Sequence, residues 1–524
     1  MTASSGAAAP KDDRSRGTLP GANAILAALA LIKLLVHALT ASNYGYFRDE
    51  LYYVAAGGRL SFGYVDFPPF VALVTAFVRA TLGDSQLALR LLPALAGAAV
   101  VVLAGLMARE LGGGRLAQGL AALAVLVAPN FIVFGTFLSM DAFDQLFQVS
   151  AVYVLVLILG RDRPRLWLLF GLLCGLGLLT KVTTLFFGFA ILLALLLTPA
   201  RRHLLAPWPW LGGAISLAFL LPYVLWNAAN GWPTFDFWRE YGAKVDDASP
   251  FEFLVEQIVT MQPPSLPLWL AGLAVLLFAP WARPYRPLGW IYVILFALFV
   301  AMNSRFYFLA PAYPILFAAG SAAAERFFAD RGRWRRLLPA YAALLAMSGA
   351  IVAPITVLPA LPVQTLAGIT GAAGGDAGIE VETREVAELP QTFADRFGWE
   401  GMAATVAGVY RDLPENERPE ACILAGNYGE AGAIDFFGGR HGLPKAISGH
   451  NSYHLWGPGG CDGQTVISIG VPEERLETVF GRTERAATFR CRYCMPDENN
   501  LPVYVSRDPK LPFDEAWPRF KHYD

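Results

Sequence analysis

The chain has 524 residues, of which 55% are hydrophobic and only 16% are charged. Soluble domains carry about 25% charged residues, so this composition excludes an ordinary soluble enzyme, and the excess of apolar residues excludes disorder over most of the length. Five cysteines are too few for a disulfide framework, and a net charge of -1 offers no basic field to nucleic acid. A membrane protein remains.

The chain begins with a polar segment and continues with long apolar runs. Residues 1–21, rich in Ala, Ser, Gly and charge, are predicted to form a disordered cytoplasmic tail. The following run, 22–41, is long enough to cross a bilayer and lacks a small-residue cleavage site, which favours a first membrane span over a signal peptide. About eleven spans are predicted in all, at 22–41, 86–108, 116–135, 142–160, 164–180, 182–199, 208–227, 264–281, 287–303, 306–324 and 337–358.

The charges of the loops predict the orientation of these spans. With the N-terminus inside, 17 Lys and Arg residues fall on the cytoplasmic side and eight on the other, as the positive-inside rule requires. The apolar run 70–82 is too short to span and is interpreted as an amphipathic helix on the outer leaflet. The interpretation therefore places the multi-span domain at 22–358 in a cell inner (plasma) membrane, surrounded by membrane lipids.

The composition changes near residue 359, and an odd number of spans places residues 359–524 outside the cytoplasm. Their pattern predicts a small α/β domain, which makes the fold class an α-helical polytopic membrane protein with a C-terminal extracytoplasmic α/β domain. The predicted strands are 421–425 and 465–469, and the predicted helices are 383–411, 430–437 and 473–480.

Four of the five cysteines lie in this exported domain, which fits an oxidising compartment. They are the disulfide candidates, and their pairing cannot be deduced from the sequence. A redox-active or zinc-binding role for the C-x-x-C pair is the less favoured alternative. The four are Cys422, Cys461, Cys491 and Cys494.

The first outer loop, 43–85, carries three carboxylates among aromatic residues: Asp49, Glu50 and Asp66. Adjacent side chains on a helix diverge by about 100°, so Asp49 and Glu50 cannot both face one atom. A carboxylate near low dielectric has a raised proton affinity, which suits a general base acting on an alcohol or amine. The alternative is a solvated loop with a surface pair between Arg48 and Asp49.

Two cations, Lys181 and Arg305, are predicted to lie on the outer side, against the overall charge bias. Ionisable groups at a membrane are candidates for function, and these two could neutralise a lipid-linked phosphate. The alternative is contact with outer-leaflet headgroups. Asp141 and Asp144 share a helix face at the outer mouth of the fourth span, where they could also only mark the interface.

Several of these motifs, taken in order, resemble glycosyltransferase family 39, a group of GT-C integral-membrane enzymes. They are Phe-x-Asp-Glu-x-x-Tyr53, Gly63-Tyr-x-Asp-x-Pro-Pro69, Ala88-Leu-Arg90, Asp141 and Leu179-Thr-Lys181. The segments Asn427-Tyr-Gly-Glu-Ala-Gly432 and Ser448 to Trp456 look like the tail of bacterial members.

The resemblance implies a GT-C fold and transfer of a sugar, with inversion, from a polyprenyl-phosphate donor to an extracytoplasmic acceptor. It assigns the catalytic base to Asp49, with Glu50 and Asp66 shaping the acceptor site or binding a metal, and donor phosphate binding to Lys181 and Arg305. No cofactor is implied with certainty, although Mg or Mn on Asp49 and Asp66 is an option. Further candidates for substrate contact are Asp141, Tyr52, Tyr64, His450 and Asn451.

The loop departs from the aminoarabinose branch of the family, which has Asp-Glu-Pro-Arg-Tyr and Glu-Lys-Pro-Pro there. Here Leu51-Tyr52 and Asp66-Phe67 replace the residues that include its two cations, so the acceptor stays open between protein, lipid and envelope glycan.

Nearby glycines argue against a helix, and hence against a metal site, at His450-x-x-x-His454. The alternatives to an enzyme are a transporter or flippase of lipid-linked sugars, and a membrane-anchored sensor.

Overall fold

The structure is a computed structural model, and it describes residues 21–242, 249–329, 331, 336–372 and 387–523. The predicted N-terminal tail lies outside these residues, apart from Gly21.

The membrane part is helical because its long apolar runs leave the backbone to satisfy its own hydrogen bonds in lipid. Its helices are α1 (Ala22–Thr40), α2 (Arg48–Gly57), α3 (Phe70–Thr81), α4 (Gln86–Glu110), α5 (Arg115–Val127), α6 (Pro129–Val133), α7 (Met140–Arg161), α8 (Leu166–Thr180), α9 (Thr184–Leu196), α10 (Pro207–Ala229), α11 (Pro233–Gly242), α12 (Pro250–Thr260), α13 (Leu266–Phe278), α14 (Arg286–Ala301), α15 (Tyr313–Ala329), α16 (Leu337–Thr356) and α17 (Val363–Ala372).

Each of the eleven predicted spans coincides with helix, but the helices differ in length. Among the described residues, seven are long and apolar enough to cross a membrane, and up to nine if two bent pairs each form one span. The bends, of 111° and 94°, fall after α9 and between α12 and α13, whereas α5 and α8 have only 13 and 15 residues. The protein is therefore a multi-pass membrane protein, and the count of eleven stays a prediction.

Small residues allow the membrane helices to approach closely. A Cβ atom built on Gly171 of α8 would lie 2.2 Å from the carbonyl oxygen of Gly212 on α10, and one on Gly272 of α13 would lie 1.9 Å from that of Leu316 on α15. Such contacts require glycine, as is common for helices that pack in lipid.

The C-terminal part is a small mixed α/β domain, as predicted. Its helices are α18 (Gln391–Ala394), α19 (Trp399–Asp412), α20 (Tyr428–Phe437), α21 (Asn451–Trp456), α22 (Glu473–Val479) and α23 (Phe513–Ala516), and its strands are β1 (Cys422–Ala425), β2 (Ala446–Ser448), β3 (Thr465–Ile469), β4 (Phe480–Phe489) and β5 (Leu501–Pro509).

The five strands form one sheet in the order β2-β1-β3-β5-β4. β1 lies between β2 and β3 and is parallel to both, with Ala425 opposite Ser448 on one side and Ile469 on the other. β5 is antiparallel to both β3 and β4. The carboxyl ends of β1, β2 and β3 therefore meet at one edge of the sheet.

Some details of this domain differ from the predictions. The predicted helix 383–411 is divided into α18 and α19, because Gly398 adopts a φ of 98° at the start of α19; its residues 383–386 lie outside the described residues. The prediction of no helix near His450 is wrong, since α21 forms there and the glycines lie just outside it. β2, β4 and β5 were not predicted; β4 and the start of β5 alternate only weakly in burial.

Two of the four candidate cysteines form a disulfide in the structure, Cys422 with Cys461. Cys491 and Cys494 are free thiols, with the Cys494 Sγ donating to the Cys491 carbonyl at 3.4 Å. A hydrogen bond from the Cys494 side chain to the Cys491 thiol, followed by the backbone amides of Cys494 and Tyr493, lowers the pKa of Cys491 to about 7.

The predicted topology can be tested with fusions. Alkaline phosphatase fused after Asp524 should be active, because an odd number of spans carries the C-terminus out of the cytoplasm. The matched control is a fusion after Arg331, in a loop predicted to be cytoplasmic, which should be inactive. The reverse pattern of enzyme activity in whole cells would contradict the orientation.

Candidate active site

Glu50 and Arg90 form a buried ion pair that fixes the segment 43–85. The Nε and Nη2 atoms of Arg90 on α4 donate to the two carboxylate oxygens of Glu50 on α2, at 2.9 and 2.6 Å. The amides of Leu138 and Phe47 also donate to this carboxylate, each at 2.8 Å. Glu50 is fully buried, and four donors occupy its oxygens. It positions α2 against α4 and the segment before α7.

Asp49 faces away from Glu50, as the helical geometry predicts. Its Oδ1 accepts a hydrogen bond from the Tyr428 hydroxyl at 3.0 Å and lies 3.7 Å from the Arg48 Nε. Tyr428 begins α20 of the C-terminal domain, so the two parts of the protein meet at this carboxylate. The Asp49 side chain is 23% exposed, and it is thus only partly open to solvent.

Aromatic stacking extends this contact. The Tyr52 ring stacks on Tyr428 with 4.5 Å between centroids, and the Tyr52 hydroxyl donates to Asp66 at 2.8 Å. Ser452 of α21 binds the same segment twice, because its amide donates to the Tyr52 hydroxyl and its Oγ accepts the Val65 amide. Burial, followed by the charge of Asp66, raises the pKa of Tyr52 well above its usual value. Tyr52 is therefore a hydrogen-bonded neutral phenol that holds Asp66.

Tyr53 is a buried phenol of α2. Burial raises the pKa of its hydroxyl well above the usual value, and further contributions come, in decreasing order, from the charges of Asp49, Asp66 and Asp141 and from Tyr307. Tyr53 is therefore a neutral phenol.

Lys181 forms an ion pair with Asp141. Its Nζ lies 2.6 Å from the Asp141 Oδ1, and both side chains are almost buried. The ammonium group also lies over the rings of Tyr307 and Phe308, at 4.8 and 4.5 Å from their centroids. Asp144 turns to other partners and accepts hydrogen bonds from Gln148 and Thr184.

Arg305 immediately precedes a short 3-10 helix, Phe306–Ala312, which contains both aromatic rings that Lys181 contacts. Its Nε and Nη2 donate to the hydroxyl of Tyr241 on α11, at 3.2 and 3.0 Å. One short segment therefore links the two predicted cations. Arg305 lies two positions before Tyr307, which is one of the two aromatic residues that Lys181 contacts.

The other predicted site residues, Tyr64, His450 and Asn451, lie beside the site or hold its helices in place. Tyr64 is buried and donates to the carbonyls of Ala56 and Arg59, which fixes the end of α2. The His450 Nδ1 accepts the Tyr428 amide at 3.3 Å, which places this histidine one side chain from Asp49. Asn451 begins α21, with a φ of 45°, and donates its amide to the His522 carbonyl.

No group of three or more His, Cys, Asp or Glu side chains converges in a metal-binding arrangement within the part of the chain that the structure describes. The prediction of Mg or Mn on Asp49 and Asp66 is not tested by this observation.

Sequence reasoning missed the residues that join the C-terminal domain to the loop, Tyr428 and Ser452, and the burial of Tyr53. Arg90 was noticed only as part of a motif. The motif around Asn427 was a usable signal, but no spacing could predict that a tyrosine 379 positions away reaches Asp49.

The fold and the site define an integral-membrane protein of the GT-C type, similar to glycosyltransferase family 39. Residues 66–226 match the family described as dolichyl-phosphate-mannose-protein mannosyltransferase. No curated protein matches the sequence.

Two solved structures of ArnT from Cupriavidus metallidurans share the fold. The apo form has a TM-score of 0.61 and the form bound to undecaprenyl phosphate 0.59; each is 17% identical and aligned over 93% of this chain and 98% of ArnT. An oligosaccharyltransferase from Archaeoglobus fulgidus, tethered to an acceptor peptide, has a TM-score of 0.52 and 14% identity, over 81% of this chain and 64% of its own. The predicted resemblance and fold class are confirmed.

The role of the Glu50–Arg90 pair can be measured. Glu50→Gln should lower the free energy of unfolding by about 3 kcal/mol, because it leaves the buried Arg90 without its counter-charge. Thermal unfolding in detergent measures the change. Glu400→Gln is the matched control, since Glu400 forms an exposed pair with Arg440 and should have little effect. Equal melting temperatures for the two variants would contradict a positioning role.

Proposed function

We propose that this protein is a glycosyltransferase that moves a sugar from a polyprenyl-phosphate donor to an acceptor on the extracytoplasmic face, with inversion. The membrane is proposed to be the inner (plasma) membrane, with the N-terminus in the cytoplasm. The observation that carries the proposal is the position of Asp49, which is partly exposed where the membrane part meets the C-terminal domain and accepts a hydrogen bond from Tyr428 of that domain. The ion pair of Asp141 with Lys181 supplies the cation of the proposed site.

Asp49 is proposed as the general base. It accepts the proton of an acceptor hydroxyl or amine as the acceptor oxygen or nitrogen forms a bond to the sugar C1. The bond from C1 to the phosphate oxygen breaks on the opposite face, so the configuration inverts and the carrier leaves as a phosphate monoester. The Tyr428 hydroxyl donates a hydrogen bond to Asp49 at 3.0 Å. The hydroxyl of an acceptor could approach Asp49 from the same direction and donate to it in the same way.

Lys181 and Arg305 are proposed to stabilise the charge that develops on the departing phosphate. Lys181 is held almost buried by Asp141 and two aromatic rings, so its charge is fixed in place and partly shielded from water. A bound phosphate would interact with the Lys181 ammonium group together with the Asp141 carboxylate. Asp66, held by Tyr52, is proposed to shape the acceptor site, whereas Glu50 acts only through the position of α2.

The solved relatives support this assignment of substrates. ArnT has been crystallised with undecaprenyl phosphate and the archaeal oligosaccharyltransferase with a tethered acceptor peptide. The same classes, a lipid-linked donor and an extracytoplasmic acceptor, are proposed here. The acceptor stays open, because buried Leu51, Tyr52 and Phe67 occupy the loop positions at which the aminoarabinose branch has its distinguishing residues.

The function is tested by a transfer assay with the reconstituted protein and a panel of polyprenyl-phosphate sugars. Asp49→Asn should lower the rate by a factor of about a hundred to ten thousand, because it removes the base. Asp84→Asn is the matched control from the same loop, since Asp84 is half exposed and pairs with Arg79; it should transfer at the wild-type rate.

Unchanged transfer by Asp49→Asn would contradict the base assignment. Movement of the lipid-linked sugar across vesicles without any transfer would instead favour the transporter or flippase.

The phosphate role of Lys181 can be separated from its pairing with Asp141. Lys181→Gln combined with Asp141→Asn removes both charges, so no unpaired buried charge remains. We expect this double variant to bind undecaprenyl phosphate at least tenfold more weakly than wild type, in a titration of the purified protein. Lys445→Gln, an exposed lysine of the exported domain, should bind as wild type. Wild-type affinity in the double variant would limit Lys181 to neutralising Asp141.

A further inference from the structure

The sheet of the exported domain contains a crevice that the proposed reaction does not use. β1 has parallel neighbours on both sides: the chain runs from β1 to β2 on one side and then crosses to β3 on the other. In α/β sheets, ligands bind outside the carboxyl ends of strands at such a switch point.

A cavity of about 260 Å³ occupies this position. Its walls include Ala425 and Gly426 at the end of β1, Gly470 and Val471 after β3, Arg475 on α22, and His522 near the C-terminus. Sites for drug-sized ligands begin at about 300 Å³, so the cavity has the size for a small molecule, such as a single sugar unit.

The backbone amides at the start of α20, beside the cavity, already have a hydrogen-bond acceptor within the protein. Glu430 accepts from the amides of Gly426 and Asn427, at 2.7 and 3.2 Å. Burial, followed by the charge of Glu498, raises the pKa of Glu430 well above its usual value. A ligand is therefore not expected to place an anionic group at the start of α20.

Arg475 supplies the charge that remains for a ligand. Within the described residues, its guanidinium makes no hydrogen bond or ion pair, and the side chain is only partly exposed. The carboxylates on its own helix are Glu473, Glu474 and Glu477; Glu473 accepts the Tyr504 hydroxyl. Among the residues that the structure describes, no Asp or Glu lines the cavity itself. Guanidinium groups bind oxyanions in a fixed, often bidentate geometry.

We propose that this crevice is a second ligand site, which binds a small solute of monosaccharide size through an oxyanion on Arg475. The oxyanion could belong to a sugar phosphate or a sugar acid, which offer the same chemistry to the guanidinium. The site is distinct from the proposed donor site at Lys181 and does not depend on glycosyl transfer.

The crevice is nevertheless in contact with the candidate active site. The His522 ring stacks on His450 at 4.5 Å, and the His450 ring lies 4.8 Å from Tyr428, which holds Asp49. A solute that packs against His522 would therefore lie at the outer end of a row of three rings that ends at the proposed base.

Calorimetric titration of the purified full-length protein in detergent tests the site with four probes: glucose 1-phosphate, glucuronate, inorganic phosphate and glucose. We expect the first two to bind at one site per chain, and glucose to bind at least tenfold more weakly. Inorganic phosphate shows whether the oxyanion alone is sufficient or the sugar ring contributes. No binding of any anionic probe, or equal binding of glucose, would overturn the proposal.

Variants locate the site. Arg475→Ala should weaken binding of the anionic sugars at least tenfold, and Pro472→Trp, at an exposed position in the wall, should block the cavity. Arg482→Ala is the matched control, because Arg482 forms an exposed pair with Glu484 on β4. Melting temperatures verify that the variants fold. Wild-type affinity in both Arg475→Ala and Pro472→Trp would overturn the proposal.

The combined Lys181→Gln and Asp141→Asn variant separates the two sites. It should bind the anionic sugars as wild type even where it loses undecaprenyl phosphate. Loss of sugar binding in this variant, with binding retained in Arg475→Ala, would assign the ligand to the donor site and overturn the proposal. Failure of transfer with intact sugar binding would overturn only the proposed function.

Discussion

The buried pair of Glu50 and Arg90 is the interaction on which the candidate site depends. Removing two charges from water is costly, and the pair is stable only because further amides complete the hydrogen bonding of the carboxylate. Those amides come from Phe47 and Leu138, so one carboxylate connects the start of α2 to α4 and to the segment before α7. The orientation of α2, and with it the direction of Asp49, follows from this arrangement.

The C-terminal domain completes the candidate site rather than standing apart from it. Tyr428 and Ser452 both follow strands at the carboxyl edge of the sheet, and they bind Asp49 and Tyr52 of the first outer loop. Because the same edge also contains the crevice at Arg475, the domain joins two features of different chemistry. One is the contact of Tyr428 and Ser452 with the loop that carries Asp49, and the other is a small cavity that offers the positive charge of Arg475.

The sequence predicted elements well where local signals were strong. Long apolar runs indicated the membrane helices, and β3 was predicted at its observed residues, 465–469. Prediction failed where packing decides the outcome. β4 has a mostly exposed pattern and depends on β5 for its pairing, and α21 forms between glycines because its residues contact α2 and the C-terminal segment.

By itself, the sequence determined the class of protein, the motif order of the first loop, and the divergence of Asp49 from Glu50, because composition and helical periodicity are local properties. Only the tertiary structure decided which partner each charge takes. Lys181 with Asp141, Glu50 with Arg90 and Asp49 with Tyr428 are separated by 40, 40 and 379 positions. Burial of a charge requires a partner in space, and that partner is fixed by how the helices and the sheet pack, which no spacing along the chain encodes.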